Sequence, residues 1–414
     1  MKSNYLILSL FIINIFNYSY SEEDKVKTTN SLSYLIDSSI KNNKIIQINE
    51  KNKLIGESTL IQSSLYTNPN FLIEYGSNWF IDRTDGYNFN FQYSHPFELF
   101  GKRNSIYQVS KVQLDNINND INYQKQLFIL DLKSEYINTL IYQENLALTE
   151  NLFNLSTKIL KLSDNKYKFG DISKYDLNNI RIEVSKIETQ LINIKNISTN
   201  SLERLKFLTG LNDIKINGDK LYLIKDINNA DLYIKALNNR FDIKSIEINE
   251  NLYNSQIKSF EIQAIPNISL IGGFQSQKGD AQTTNTILLG IGSDLAFFNR
   301  NQGLILEYQI LKEQNNLKLE LLKEQIKNQI NINVNSINNL VKNINIYRND
   351  IIPIFLENLE IVKKAYEIGD KDLIEYINEQ NRFINIQKEY IAFLQEYKLS
   401  ILSLEKNVGI SIIN

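Results

Sequence analysis

Residues 363–410 read KKAYEIGDKDLIEYINEQNRFINIQKEYIAFLQEYKLSILSLEKNVGI, and this stretch decides the fold. A helix end runs into a tight turn at Gly369, and a long return helix follows. The same unit stands earlier, at residues 163–211. Tyr366, Gly369, Asp370, Leu404 and Gly409 lie 199 residues after Tyr167, Gly170, Asp171, Leu205 and Gly210, with no gap. The heptad phase transfers too. Positions 177, 180, 184, 187, 191 and 194 carry Leu, Ile, Val, Ile, Leu and Ile; the matching positions carry Tyr376, Glu379, Phe383, Ile386, Tyr390 and Phe393. Steps of three and four put each set on one helix face, and a period near 3.5 calls for a partner helix wound alongside.

Composition narrows the function classes. A formal charge of −2 over 414 residues gives a nucleic-acid partner no electrostatic support. The absence of Cys excludes a disulfide scaffold, a thiolate metal site and a lipidated N-terminal cysteine. With one His and no Cys nucleophile, a catalytic triad could be built only through His95. The carboxylate pairs fall on heptad surfaces, so an enzyme is disfavoured and no cofactor is expected. Four Pro in the whole chain suit long unbroken helices.

Taken in order, residues 1–21 read as a secretory signal: Lys2, an apolar core over 5–16, and Ser19-Tyr20-Ser21 as a small-x-small cleavage site. A helix over 28–66 stops at Asn68-Pro69-Asn70. In residues 87–94, Tyr87, Phe89, Phe91 and Tyr93 alternate with Asn88, Asn90, Gln92 and Ser94, the period of a strand. Phe71, Ile73, Tyr75 and Trp79 mark the strand before it, and residues 82–86 are a polar hairpin loop. One aromatic face and one neutral, hydrophilic face is the pattern of a transmembrane barrel; a half-buried sheet on a soluble core is the alternative. Residues 104–162 contain neither Pro nor Gly, and as one helix would reach ~90 Å at ~1.5 Å per residue. A turn over 163–172 and a helix over 173–208 follow, then breaks at Gly210 and Asn217-Gly218-Asp219. A helix over 230–264, Pro266-Asn267, strands over 268–277 and 286–296 and a helix over 302–365, kinked at Pro353, repeat the first half. The division is therefore 1–21, a first repeat over 22–212, an equatorial linker over 213–229, and a second repeat over 230–414.

Four strands per chain cannot close a barrel, for which about eight is the practical minimum. Lipid cannot satisfy an open sheet edge, so several chains must share one wall. Pairs of long hairpins side by side extend that wall as a hollow tube. A secreted coiled-coil scaffold or adhesin is the rival reading; it accounts for the heptads but not for the aromatic alternation.

The chain resembles the TolC-like outer-membrane efflux channel family over essentially all of its mature length. The residues that carry the resemblance are Asn68-Pro69, Phe97-Glu98-Leu99-Phe100-Gly101-Lys102-Arg103, Phe298-Asn299-Arg300-Asn301-Gln302-Gly303, Tyr366-x-x-Gly369 and Leu404-Glu405-x-x-x-Gly409. The two junction pieces are similar to the heavy-metal (cation) efflux branch. The resemblance implies a mainly α fold with long antiparallel hairpins forming a periplasmic α-barrel, and four strands per chain in a homotrimeric 12-stranded outer-membrane β-barrel. It implies a passive duct in outer-membrane lipid, docked to a periplasmic adaptor and an inner-membrane pump of the resistance-nodulation-division type.

It also implies a gate at the periplasmic tip. The first hairpin offers Tyr175 and Asp176 and the second Tyr366 and Lys371, with a Tyr366 hydroxyl–Asp176 hydrogen bond as the expected latch. Lys371 is conservative for the family, whereas Tyr175 departs from its usual small polar group. Glu375 stands where the family has an acidic constriction ring, or else on a solvated helix face; Asn378 replaces the second acid, which weakens the ring. Asp370 and Asp372 read as charges at a helix N-terminus. His95 reads as a strand-end residue and Trp79 as part of an interfacial belt or an ordinary strand face. Gly101-Lys102-Arg103 lacks the glycine spacing of a phosphate loop and turns strand into helix instead.

Overall fold

The structure, a computed structural model, describes residues 30–80, 83–216, 221–279, 282–368 and 370–412. The signal segment 1–21, the break at Asn217-Gly218-Asp219 and Gly369 lie outside the described residues, as does the side chain of Trp79.

The first half runs α1 (Leu32–Asn42), α2 (Lys44–Ser64), β1 (Asn70–Phe80), β2 (Arg83–Phe97), α3 (Lys102–Phe169) and α4 (Lys174–Thr209). The second runs α5 (Leu232–Asn239), α6 (Phe241–Gln263), β3 (Ile268–Lys278), β4 (Thr283–Ser293), α7 (Gln302–Ile346), a π turn (Tyr347–Ile351), α8 (Ile352–Glu367) and α9 (Leu373–Val408). Helix α3 has 68 residues, which is about 100 Å of rise.

The single helices expected over 28–66 and 230–264 are each two. The breaks fall at Asn43 and Arg240, both extended at ψ 129. Each break docks on the end of its half's return helix. The Asn43 amide donates to the Leu208 carbonyl at 2.9 Å, and the Arg240 guanidinium to the Asn407 carbonyl at 2.8 Å. A side chain that satisfies a distant carbonyl holds the kink open, a tertiary contact that local periodicity does not report. The return helices end on Gly210 (φ 68) and Gly409 (φ 81). A Cβ on Gly409 would stand 3.0 Å from the Asn239 carbonyl carbon and oxygen.

The helix expected over 302–365 is also interrupted. Pro353 has no N–H and crowds the carbonyl four residues back. The backbone widens one turn earlier, and the Ile352 N–H bonds the Tyr347 carbonyl five residues back. Strand β2 begins at Arg83, so most of the loop expected over 82–86 is strand.

The two long hairpins lie side by side. Leu177, Ile180, Val184 and Ile187 of α4 are buried, as the heptad reading requires. In α9 two adjacent stripes are buried: Tyr376 and Phe383, and beside them Ile377, Ile384 and Ile391. Helix α9 packs against α7 and α8 on one side and against α3 on the other. One cluster joins Ile159, Ile180 and Val184 of the first hairpin to Ile352, Leu359 and Phe383 of the second. The closing Leu404-Glu405 pair is buried, and the Glu405 carboxylate takes the Lys133 ammonium of α3 at 2.7 Å.

Candidate channel wall, equatorial strap and tips

The four strands form one antiparallel sheet in the order β1-β2-β3-β4, so β1 and β4 are both edges within the chain. The register sorts the side chains into two faces. Phe71, Tyr93, Gly272 and Leu289 share one row, and Ile73, Phe91, Phe274 and Ile287 the next. Tyr75 and Phe89 extend this face at one end, and His95, Leu270 and Ile291 at the other. The opposite face carries Glu74, Asn90, Gln275 and Thr286 in one row and Gly76, Asn88, Gln277 and Thr284 in another. Its polar groups bond one another: Asn90 to Glu74 at 2.9 Å and Gln275 to Asn88 at 3.3 Å. Ile73, Tyr75, Ile287 and Leu289 are 66–88% exposed in the single chain. Strands of 11 residues match the ~9–11 that a tilted strand needs to cross a bilayer. Among the described residues no helix is long and apolar enough to do so. His95 sits in the apolar face between rings, stacked on Tyr93 and edge-on to Phe97.

Halfway down the helices, the described residues 221–230 form a strap without helix or strand, bolted on by side chains that sequence reasoning missed. The Tyr397 hydroxyl accepts from the Lys225 amide at 2.8 Å and donates to its carbonyl at 3.0 Å. The Lys398 ammonium donates to the Leu223 carbonyl at 2.7 Å, and burial pushes its pKa down to about 8. Arg348, set by the π turn, donates to the Tyr222 carbonyl at 3.0 Å and the Tyr390 hydroxyl at 3.2 Å. Tyr222 bonds Glu144 of α3, whose carboxyl burial raises above the usual carboxylate range. Pro353 was the only local signal of this level of the helix.

At the tips, Asp176 and Lys371 each pair within their own hairpin. Asp176 closes a capping box: its carboxylate accepts from the Ser173 hydroxyl at 2.7 Å and amide at 3.2 Å, and its amide donates to that hydroxyl at 3.1 Å. The Ser-x-x-Asp spacing is the sequence signal for it. Tyr366 makes no hydrogen bond to Asp176 in this chain. Its ring stacks on Tyr376 at 5.8 Å, with the Lys166 ammonium of the first hairpin 5.1 Å over it. Lys371 pairs with Glu375 at 2.7 Å, and that carboxylate raises the lysine's pKa. Asp372 caps α9 by accepting from the Glu375 amide at 2.8 Å. Tyr175 is 74% exposed, and Asp370 and Asn378 are exposed. Phe169 and Ile368, at matching places in the two hairpins, are each 82% exposed.

No protein-family model matches the sequence, and no curated protein does. Solved structures match over nearly the whole chain. A membrane protein from Pseudomonas aeruginosa superposes with a TM-score of 0.74 at 15% identity, over 94% of this chain and 99% of its own. The CmeC outer membrane channel of Campylobacter jejuni gives 0.71 at 18%, over 94% and 90%. The chain has the TolC-like outer-membrane channel fold. The open state of the MtrE outer membrane channel of Neisseria gonorrhoeae shares this fold with a TM-score of 0.72 at 12% identity, over 92% and 89%. At such identities the likeness is one of architecture. Among the described residues no group of His, Cys, Asp or Glu could hold a metal ion.

Proposed function

We propose that three copies of this chain close their sheets into one 12-stranded barrel in an outer membrane, with the hairpins continuing it as a tube through the periplasm. The observation that carries this is a sheet with two unpaired edges, apolar on one face and hydrophilic on the other. Joining β4 of one chain to β1 of the next removes both edges and leaves lipid outside and water inside. The molecule is then a passive exit duct of a tripartite efflux system, and an inner-membrane pump supplies the energy.

The exposed Phe169 and Ile368 at the tips suit docking by a periplasmic adaptor, which would cover them. Cargo is set by the pump, with metal cations or small toxic compounds as the classes that the heavy-metal-like junction motifs favour. We place the gate in the tip residues Tyr175, Asp176, Tyr366 and Lys371. At the level of the tip, the Lys166–Tyr366 cation–π pair bridges the two hairpins of one chain, worth ~0.5–1 kcal/mol where exposed. Glu375, shared with Lys371, gives the constriction a reduced negative charge, and Asn378 adds none.

Planar-bilayer recording tests the reading. The purified mature protein should give discrete single-channel steps. Bilayers that stay silent, with the protein soluble in the absence of detergent, would favour a secreted coiled-coil scaffold.

A further inference from the structure

Resting on that channel reading, we propose that the equatorial strap is a clasp on a hinge. Through Arg348 it sets the bend of the second hairpin at the π turn, and so acts on the tip from halfway up the helices.

The two halves differ in length at one place. Phe100, Arg103 and Asn104 recur after 197 residues as Phe297, Arg300 and Asn301, whereas Tyr167 and Gly170 recur after 199 as Tyr366 and Gly369. The second descending helix therefore holds two residues more than the first. Midway, the buried Phe128, Leu132 and Thr139 of α3 fall on the buried Ile326, Ile330 and Ile337 of α7 at a displacement of 198. The last step, from 198 to 199, lies between Ile337 and Tyr366, and the π turn stands in that stretch. A turn bonded five residues back takes one residue more than an α turn, so it absorbs the step. Helix α3 runs unbroken through the same level, which leaves the bending point to the second hairpin.

Packing thins at the same place. Thr149 and Leu152 of α3 are buried; Arg348 and Ile351, their counterparts 199 residues on, are not. Between Ile344 and Ile352 no side chain is buried. The core divides there. Ile344 belongs to the cluster around Tyr397, Ile352 and Leu359 belong to the cluster shared with the first hairpin, and Tyr390 packs against both. Pro353 also offers no N–H to the Asn349 carbonyl. Polar side chains take over. The Tyr347 hydroxyl donates to the Glu389 carboxylate at 2.8 Å, and Arg348 donates to the Tyr390 hydroxyl and to the Tyr222 carbonyl of the strap. The strap is itself fixed to α9 by Tyr397 and to the unbroken α3 by the Tyr222–Glu144 bond. Arg348 thus ties the turn that can bend to elements that do not. Below it α8 has 16 residues, so a bend of about 10° over its ~24 Å of rise would carry the tip about 4 Å.

Hydrogen exchange in detergent and planar-bilayer recording test this on one set of proteins. Arg348→Met keeps the stem and removes the donors. Amides of residues 347–352 should then exchange about tenfold faster, while those of the matching residues 148–153 keep their rate. Open probability should rise with the tip residues untouched. Tyr390→Phe keeps the ring, removes one acceptor, and should move both readouts the same way by less. Unchanged exchange at 347–352, or equal acceleration in both segments, would overturn the clasp. Faster exchange there with unaltered open probability would overturn its action on the tip. No current from the natural protein, with exchange still accelerated by Arg348→Met, would sink the channel reading and leave the clasp standing.

Discussion

The Tyr397 hydroxyl and the main chain of Lys225 exchange two hydrogen bonds, at 2.8 and 3.0 Å, across 172 residues of sequence. The ring is wholly buried in the core of the second hairpin, so the hydroxyl emerges at one fixed place, under the strap. Tyr397→Phe keeps the packing and leaves an amide and a carbonyl unpaired, a loss of ~1–3 kcal/mol. The strap should loosen while the hairpin stays folded. Trypsin cleavage after Lys225 should then accelerate about tenfold, the equivalent of ~1.4 kcal/mol. An unchanged cleavage rate would mean that the bonds do not hold the strap.

The glycines that end helices should not respond equally to alanine. Gly170, Gly210 and Gly409 all have positive φ, which alone costs ~1–2 kcal/mol with a Cβ. At Gly170 nothing lies within 4 Å of the new atom. At Gly210 it meets the Asn42 side chain at 3.1 Å, and at Gly409 the rigid backbone of Asn239 at 3.0 Å. Thermal unfolding in detergent should rank the losses Gly409→Ala, then Gly210→Ala, then Gly170→Ala. Equal losses would remove the docking of the two kinks as their cause.

Lys398 gives stability a pH dependence of known sign. Burial lowers its folded pKa to about 8 from an ordinary 10.5. Below pH 8 both states carry the proton, and the cost of burying it is at its greatest. Between those values the folded chain releases the proton first, so stability should rise with pH. Melting temperature between pH 7 and pH 9.5 should climb in the natural protein and climb less in Lys398→Met. Parallel profiles would show that the ammonium is not desolvated.

We propose that at the tip the ring of Tyr366 joins the hairpins, through its stack on Tyr376 and the Lys166 ammonium over it. Tyr366→Phe preserves the stack on Tyr376 and the Lys166 contact, and should leave channel opening close to the natural level. Tyr366→Ala removes both and should raise open probability in planar bilayers. If Tyr366→Phe opened the channel as fully as Tyr366→Ala, a hydroxyl latch to Asp176 would be restored as the gate.

The duplicated hairpin, the strand alternation and the strand-to-helix junctions were legible because each is written in local periodicity and repeated in one chain. The kinks at Asn43 and Arg240 were not. Both depend on carbonyls more than 160 residues away, and helical spacing continues across them. The π turn was half legible, since Pro353 forecasts a disturbance but not its form. The second buried stripe of α9 was hidden in apparent surplus apolarity at Ile377, Ile384 and Ile391, because which helices flank it is a tertiary fact. At the tips, Asp372 caps α9 and Ser173 boxes with Asp176 within three residues, both local, whereas a contact between hairpins is a tertiary fact that no local spacing reports.

On this account one chain's four strands are a fragment of a wall that several chains complete. Native mass measurement of the detergent-extracted protein tests this most directly. Three chains should travel together in a particle that precipitates when the detergent is removed. A single chain that remains in solution without detergent would contradict it.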